Sequence, residues 1–245
     1  MTPDKIPSRQ RNGKMKRHPV MGACRLLSTS HSMHEKLRFD AFDACVTHRA
    51  SVANKSMHMN FSIHTMDSAP EPAKKALAAV KGRFGMIPNL LGILAESPAA
   101  LQGYLTVAEA FEGSSLSAAE RHVVLLTVSQ ENGCEYCVAA HSMAARRQGL
   151  STTAITAIRN GSPLADPRLE VLRQFTQAVV RQRGWAESAA ERFLAAGFTR
   201  AQVLEVVLGV TQKTLSNYVN HLAHTPLDAM FEPEKWEKSA APSAA

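Results

Sequence analysis

The stretch that decides the fold reads Asn132-Gly133-Cys134-Glu135-Tyr136-Cys137-Val138-Ala139-Ala140-His141. It contains Cys-x-x-Cys followed four residues later by a histidine, inside a strongly helical pattern. At about 100° per residue, positions 134, 137 and 141 fall within about 60° of one another on a helix surface. Because Asn-Gly breaks helices, a new helix is predicted to start near Cys134. Two thiols and an imidazole therefore share one narrow stripe.

This stripe favours redox chemistry over two other interpretations. A thiol in the first turn of a helix feels the positive end of the helix dipole, which stabilises the nucleophilic thiolate. Two buried cysteines can also be simple core residues, and Cys2His supplies three zinc ligands. However, three ligands on one straight stripe wrap a tetrahedral ion poorly, and no further ligand cluster lies nearby. We therefore predict a redox pair that needs no metal or other cofactor.

On both sides of this stretch the chain is predicted to form helices joined by short links. Ser117-x-x-Glu120 and Thr199-x-x-Gln202 are typical of capping boxes, and no segment shows sustained strand alternation. The prediction is an all-α fold of roughly eight to nine helices. The predicted segments are 71–84, 88–96, 98–112, 117–131, 134–149, a helix capped by Ser151, 167–183, 185–196 and 199–223.

Charge separates the leading segment from the rest. Residues 1–60 hold 11 Lys and Arg against 4 Asp and Glu, whereas residues 61–245 hold 17 of each. The neutral body argues against nucleic-acid binding. Residues 1–60 lack apolar periodicity and are predicted to be a disordered leader, or an extension upstream of a true start at Met57 or Met59. We expect a helical domain over 61–240 and a frayed tail over 241–245.

Cysteine usage indicates a reducing compartment. The chain has four cysteines, no secretory signal and no apolar run long enough to span a membrane. A cytoplasmic protein without membrane partners is therefore predicted. Cys24 and Cys45 are not spaced like any zinc module and receive no role.

A longer part of the sequence around this stretch resembles a known family. Leu116-Ser-Ala-Ala-Glu-Arg-His-Val-Val-Leu-Leu126, then Glu131-Asn-Gly-Cys-Glu-Tyr-Cys-Val-Ala-Ala-His141, resembles the AhpD-like alkylhydroperoxidases. These form the Cys-x-x-Cys branch of the carboxymuconolactone decarboxylase family. The resemblance is strongest over residues 116–150 and weaker over 63–236. It implies an AhpD-like helical bundle, a homo-oligomer, and reduction of a hydroperoxide through the cysteine pair, with a dithiol or protein thiol as reductant.

The family's relay glutamate is missing. The position twelve residues before the first cysteine usually carries glutamate, and here it is His122. Three groups are candidates to replace it: Glu131 at the turn beside the thiols, His122 itself, and Tyr136, which either donates to a bound peroxide or only packs. Glu131 is slightly favoured, because Glu120 already serves the capping box.

The helix dipole and the family resemblance favour different cysteines as the attacking thiol. The helix dipole favours Cys134, which is nearer the helix start. The resemblance implies that Cys137 attacks, Cys134 resolves and His141 relays a proton, since His141 lies about 6 Å further along the helix axis. We follow the resemblance.

Three rival functions use the same residues or the same fold. A thiol–disulfide oxidoreductase would act on proteins without peroxide, and a redox sensor would have no recycling reductant. A muconolactone-type decarboxylase is less favoured, because such enzymes do not rely on a cysteine pair.

The apolar segment 203–210 predicts a helix in the core or at a subunit interface. His221 and His224, at the end of that helix, are better explained by its dipole than by a place near the thiols.

Overall fold

The fold is all-helical throughout the part of the chain that the structure, a computed structural model, describes: residues 60–238. The predictions for the leader and the tail fall on residues outside this range. The α-helices are α1 Glu71–Phe84, α2 Asn89–Leu94, α3 Pro98–Glu112, α4 Ala118–Glu131, α5 Glu135–Arg147, α6 Thr152–Arg159, α7 Pro167–Arg181, α8 Glu187–Ala195 and α9 Arg200–Ala223, followed by the 3₁₀ segment Ala229–Glu234.

The helix starts follow the predicted capping residues. The Ser117 hydroxyl accepts the Glu120 backbone N–H, and the Glu120 carboxylate accepts the Ser117 N–H. Thr199 and Gln202 repeat this arrangement at α9. Both predicted capping boxes are confirmed, and each such cap stabilises its helix by about 1 kcal/mol. Helix α5 is shorter than predicted because Cys134 is its N-cap.

Helix α4 lies at the centre of the domain, since every residue from Val123 to Ser129 is buried. It takes part in what we call the first core, which joins α4 to α6, α7, α8 and α9 through Val124, Leu126, Leu172, Phe175, Phe193 and Val206. A second core joins α1, α2 and α3 to the start of α5 through Leu77, Leu90, Leu94, Leu101, Cys134 and Cys137. The thiols thus lie inside an apolar cluster.

Helix α9 packs against α3, α4 and α5 and so borders both cores. Its close approach requires Gly209, where a Cβ would lie 2.7 Å from the Phe111 ring and 2.8 Å from Val124. The opposite face leaves apolar side chains in solvent, with Leu204 71% and Leu222 56% exposed. None of the helices within residues 60–238 is long and apolar enough to cross a membrane.

Candidate active site

A tight turn between α4 and α5 presents the thiols to the second core. Gly133 has φ +67°, in the left-handed region that favours glycine, and a Cβ there would also lie 2.8 Å from the Lys238 side chain. The Cys134 N–H then donates to the Ser129 carbonyl at 2.9 Å. The Asn132 side chain donates to Asn217 of α9 at 2.9 Å, which ties the turn to that helix.

Both thiols of the pair are free and buried. Cys134 and Cys137 are each 1% exposed, and the second core around them is largely aliphatic. The helix start predicted near Cys134 is confirmed, because α5 begins at Glu135 and Cys137 lies in its first turn. Both sulfurs are therefore almost fully shielded from solvent.

Three polar side chains of α9 surround the Cys137 sulfur. The Lys213 ammonium donates to it at 3.2 Å, and the Asn220 amide donates at 3.2 Å. The Ser216 hydroxyl lies 3.8 Å away. The same Asn220 nitrogen lies 3.6 Å from the Cys134 sulfur. All three are buried, so α9 holds a cation and an amide donor against the pair.

These contacts shift the pKa values of the two thiols in opposite directions. Burial by itself raises the pKa of Cys137, but hydrogen bonding from Cys134 and the charge and hydrogen bond of Lys213 outweigh it, and the pKa lies well below the ordinary 9.0. The hydrogen bond with Cys137, burial and the negative charge on Cys137 raise the pKa of Cys134. These opposite shifts favour a thiolate at Cys137 and a protonated thiol at Cys134, and so favour Cys137 as the nucleophile.

His141 does not contact Cys137 directly, because Lys213 lies between them. The Lys213 nitrogen lies 2.8 Å from His141 Nε2. An ammonium has no acceptor, so Nε2 must accept this hydrogen bond and the ring proton must lie on Nδ1. Burial and the charge of Lys213 place the pKa of His141 well below its ordinary 6.5. A proton moving between His141 and Cys137 would pass through Lys213.

His122 lies next to His141. Its ring centroid is 6.2 Å from that of His141, and its Nδ1 is buried without a hydrogen-bond partner. Burial and the charge of Arg121 lower its pKa to about 4, so the ring is neutral at neutral pH. The structure thus brings His122 near the site, but not as a group that titrates near pH 7.

Glu131 is not brought to the thiols. Its carboxylate accepts hydrogen bonds from Gln177 and from Arg181 of α7, with the Arg181 Nε 2.6 Å away. Closeness in sequence to Cys134 was misleading, because the side chain extends from the end of α4 toward α7 and an arginine there neutralises its charge. The slight preference for Glu131 as the relay acid is therefore abandoned.

Tyr136 points its hydroxyl away from the thiols. The hydroxyl donates to the Asp228 carboxylate and accepts the Leu90 N–H at 3.4 Å, while the ring meets Phe231 edge-on at 5.9 Å. Asp228 also accepts the Asn89 N–H at the start of α2. Tyr136 therefore anchors α2 and the 3₁₀ segment rather than donating to a peroxide.

Replacing Tyr136 should therefore weaken the fold more than the chemistry. We expect Tyr136→Phe to lower the free energy of unfolding by about 1–3 kcal/mol, because Asp228 and the Leu90 N–H lose a buried partner. The rate of peroxide-driven disulfide formation should stay within about threefold of wild type. Urea unfolding and stopped-flow oxidation measure the two quantities. Tyr218→Phe, at a 55% exposed tyrosine, is the control; a large rate loss in Tyr136→Phe alone would restore Tyr136 to the reacting groups.

Sequence reasoning missed the α9 side chains. Lys213, Ser216 and Asn220 follow one another at i, i+3 and i+7, which places them on one helix face. Polar residues recurring on a face that the apolar pattern otherwise buries were the available signal. His221 is exposed in the last turn of α9, and His224 forms its left-handed C-cap.

Within residues 60–238 no group of three or more His, Cys, Asp or Glu side chains is arranged to hold a metal ion. The position that a metal would need between the sulfur and the imidazole is filled by the Lys213 ammonium. A cation there repels a metal ion, so these residues suit thiol chemistry rather than zinc binding.

The domain is all-α and packs its Cys-x-x-Cys-x-x-x-His helix against a polar face of α9. Residues 95–178 match the carboxymuconolactone decarboxylase family. The domain has the AhpD-like fold. No curated protein matches it by sequence.

Solved structures share this fold at low sequence identity. An uncharacterized peroxidase-related protein from Silicibacter sp. TM1040 is 22% identical, with a TM-score of 0.61 over 71% of this chain and 97% of that one. An alkylhydroperoxidase AhpD core protein from Ralstonia eutropha JMP134 is 18% identical, with a TM-score of 0.62 over 70% and 93%. The debrominase Bmp8 is 13% identical, with a TM-score of 0.62 over 73% and 97%.

Proposed function

We propose that the protein is a cysteine-based peroxidase that reduces organic hydroperoxides through a Cys134–Cys137 thiol–disulfide cycle. The observation that carries this proposal is the Cys137 sulfur held 3.2 Å from the buried Lys213 ammonium, beside a second thiol. A thiolate that is stable at neutral pH and has a resolving partner is what peroxide reduction needs.

The cycle has two chemical steps. The Cys137 thiolate attacks the outer peroxide oxygen, so that an S–O bond forms, the O–O bond breaks, and a sulfenic acid and an alkoxide result. Sulfur is oxidised by two electrons and the peroxide is reduced. The Cys134 sulfur then displaces water from the sulfenic acid and closes the disulfide. A dithiol or protein thiol returns two electrons and restores the pair.

The surroundings favour an organic rather than a strongly polar peroxide. Leu90, Leu94, Leu215 and Val219 belong to or pack against the cluster that contains the thiols. Burying an apolar group there would supply binding free energy of about 25 cal/mol per Å². Because both thiols are only 1% exposed, the substrate is a small hydroperoxide or one that presents its O–OH end to the sulfur.

We also propose that the protein works as a homo-oligomer in the cytoplasm. The apolar side chains that α9 leaves in solvent support self-association, and the cysteine usage of the chain fits a reducing compartment.

Reductive dehalogenation is a second candidate. It is favoured by the fold shared with the debrominase Bmp8, a variant of which has been solved in complex with 2,3,4-tribromopyrrole. The same pair would suit it: a thiolate can take the bromine from carbon, the ring takes a proton, and the second thiol then displaces bromide to give the disulfide.

A substrate comparison tests the proposal. With a dithiol reductant in excess, the full chain should consume cumene hydroperoxide faster than it reduces insulin disulfides or releases bromide from tribromopyrrole. Insulin reduction without peroxide turnover would indicate a thiol–disulfide oxidoreductase. Bromide release as the fastest reaction would indicate a dehalogenase, and stoichiometric oxidation without recycling would indicate a sensor.

A separate prediction concerns Glu131 and His122, the two relay candidates that the sequence indicated. We expect Glu131→Gln to leave disulfide formation within about twofold of wild type, because its carboxylate is bound by Arg181. His122→Ala should slow it by about tenfold, less than the ~10²-fold or more typical of a direct proton-transfer group. Stopped-flow oxidation from pH 5 to 8 measures both. A greater loss in Glu131→Gln than in His122→Ala would contradict the placement of these side chains.

A further inference from the structure

Within residues 60–238, Lys213 is a buried cation whose only close anionic partner is the sulfur of Cys137. The residue is 0% exposed, and its nitrogen contacts the Cys137 sulfur and His141 Nε2. No carboxylate forms an ion pair with it anywhere in residues 60–238. Most buried lysines are paired with a permanent carboxylate, because an unpaired buried ammonium is strongly unfavourable.

The other titratable groups that face Lys213 do not replace that partner. Cys134 and His141 approach from α5, Tyr104 acts on it from α3, and His122 lies beyond His141 on α4. His141 and His122 are neutral at neutral pH, and Tyr104 is a phenol. Burial lowers the pKa of Lys213, and the negative charge of Cys137 raises it above its ordinary value. The charge on the lysine thus depends on the charge on the sulfur.

Peroxide reduction removes that negative charge. Once Cys137 is a sulfenic acid or half of a disulfide, Lys213 faces two neutral sulfurs and a neutral imidazole, with no carboxylate paired to it in residues 60–238. Burial without a counter-charge strongly lowers the pKa of a lysine. The ammonium is then an acid strong enough to lose its proton, and it lies 3.2 Å from the reacting sulfur.

We propose that Lys213 is a catalytic residue that carries the proton of the redox cycle: it is an ammonium while the cysteine pair is reduced and a neutral amine while the Cys134–Cys137 disulfide is closed. This rests on the proposed thiol–disulfide cycle. It assigns to Lys213 the proton-donor role that the sequence resemblance gave to a glutamate and His141.

The proton balance of the cycle closes with this assignment. As the Cys137 thiolate takes the hydroxyl of the hydroperoxide, the departing alkoxide takes a proton from Lys213 and leaves as the alcohol. Cys134 then displaces the hydroxyl of the sulfenic acid, and its own thiol proton completes the water that departs. A dithiol that reduces the disulfide gives up two electrons and two protons. One proton returns to Cys134 and the other to Lys213.

His141 provides the route for recharging Lys213. It is only half-buried, and its Nε2 already accepts from the lysine at 2.8 Å. It is therefore the less buried of the two groups in contact with the lysine nitrogen, and the one through which a proton returns to it. His141 is a positioning residue here, since it touches Lys213 and not the reacting sulfur.

Proton stoichiometry tests the proposal. The full chain carrying Cys24→Ser and Cys45→Ser is oxidised with diamide, and the Cys134–Cys137 disulfide is confirmed by mass spectrometry. It is then reduced with dithiothreitol in weakly buffered solution at pH 7. We expect no net proton release, because the two protons of the reductant enter the protein, together with one thiolate per reduced chain by ultraviolet absorbance. Release of one proton per disulfide would show that Lys213 stays charged and would overturn the proposal. Absence of the thiolate would also overturn it.

Lys213→Arg is the matched variant, because a guanidinium keeps the charge but does not give up its proton. It should keep the thiolate, release one proton on reduction and oxidise at least tenfold more slowly. Wild-type rates in this variant would contradict proton donation. If it does not fold, the ¹³Cε chemical shift of Lys213 in the two redox states decides between ammonium and amine. Diamide makes these results independent of peroxide. If the chain does not react with hydroperoxide but releases no proton on reduction, the proposed function is contradicted and the proton-carrying role of Lys213 is supported. Failure to form the disulfide would end both.

Discussion

Cys137→Ser should abolish turnover of cumene hydroperoxide, with a loss of at least 10³-fold, whereas Cys134→Ser should still react once. A serine hydroxyl at position 137 is neither a thiolate nor oxidisable, so no sulfenic acid forms. In Cys134→Ser the Cys137 thiolate still faces Lys213 and Asn220, but no thiol resolves the product. Steady-state peroxide consumption and a single-turnover burst distinguish the two variants.

The contrast between the variants assigns the roles. A burst in Cys137→Ser with none in Cys134→Ser would make Cys134 the nucleophile, as the helix dipole alone predicted. Retained turnover in both single variants would remove the cysteine pair from the reaction. Ser142→Ala, a buried hydroxyl on the same helix, controls for packing changes in α5.

Lys213→Met should slow the reaction with hydroperoxide by about 10²-fold or more at pH 7. Without the ammonium, the pKa of Cys137 should rise, because the charge and hydrogen bond of Lys213 no longer oppose the effect of burial, and a smaller fraction of the thiol is then ionised at pH 7. The rate should therefore depend on pH differently in the two proteins. In wild type the rate should fall little from pH 8 to 6, because the pKa of Cys137 lies well below 9.0, while in Lys213→Met, with its higher thiol pKa, the rate should fall more steeply as the pH decreases.

The control for this change is Lys75→Met, which removes the same charge from an exposed position on α1. It should leave both the rate and its pH profile unaltered. A flat profile in Lys213→Met would mean that Asn220 and Cys134 alone keep the sulfur ionised, and it would remove Lys213 from the account of thiolate formation.

Much of the fold was predictable because its signals are local. Ser117 with Glu120 and Thr199 with Gln202 are three residues apart, and each pair caps its helix as the sequence predicts. The turn at Gly133 and the helix that follows it rest on neighbouring residues in the same way. Helix ends shifted by one or two residues where the predicted first residue serves as an N-cap, as Cys134 does.

The environment of the thiols was not predictable, because it depends on packing between distant helices. Lys213 lies 76 residues from Cys137 along the chain, and a polar run near a helix end is more often solvated than buried. The position of the Glu131 carboxylate was not predictable for the same reason, because Arg181 and Gln177 on α7 bind it. The sequence placed the two cysteines together, but only the approach of α9 distinguishes them.

The most direct test of the central claim identifies the sulfur that first meets peroxide. Reduced Cys134→Ser is mixed with one equivalent of cumene hydroperoxide in the presence of dimedone, which traps sulfenic acids, and peptide mapping locates the adduct. In parallel, the wild-type chain is mapped for its disulfide. The account predicts an adduct on Cys137 in the variant and a Cys134–Cys137 disulfide in wild type. An unmodified Cys137 in the variant, or a wild-type chain whose two thiols remain free, would contradict it.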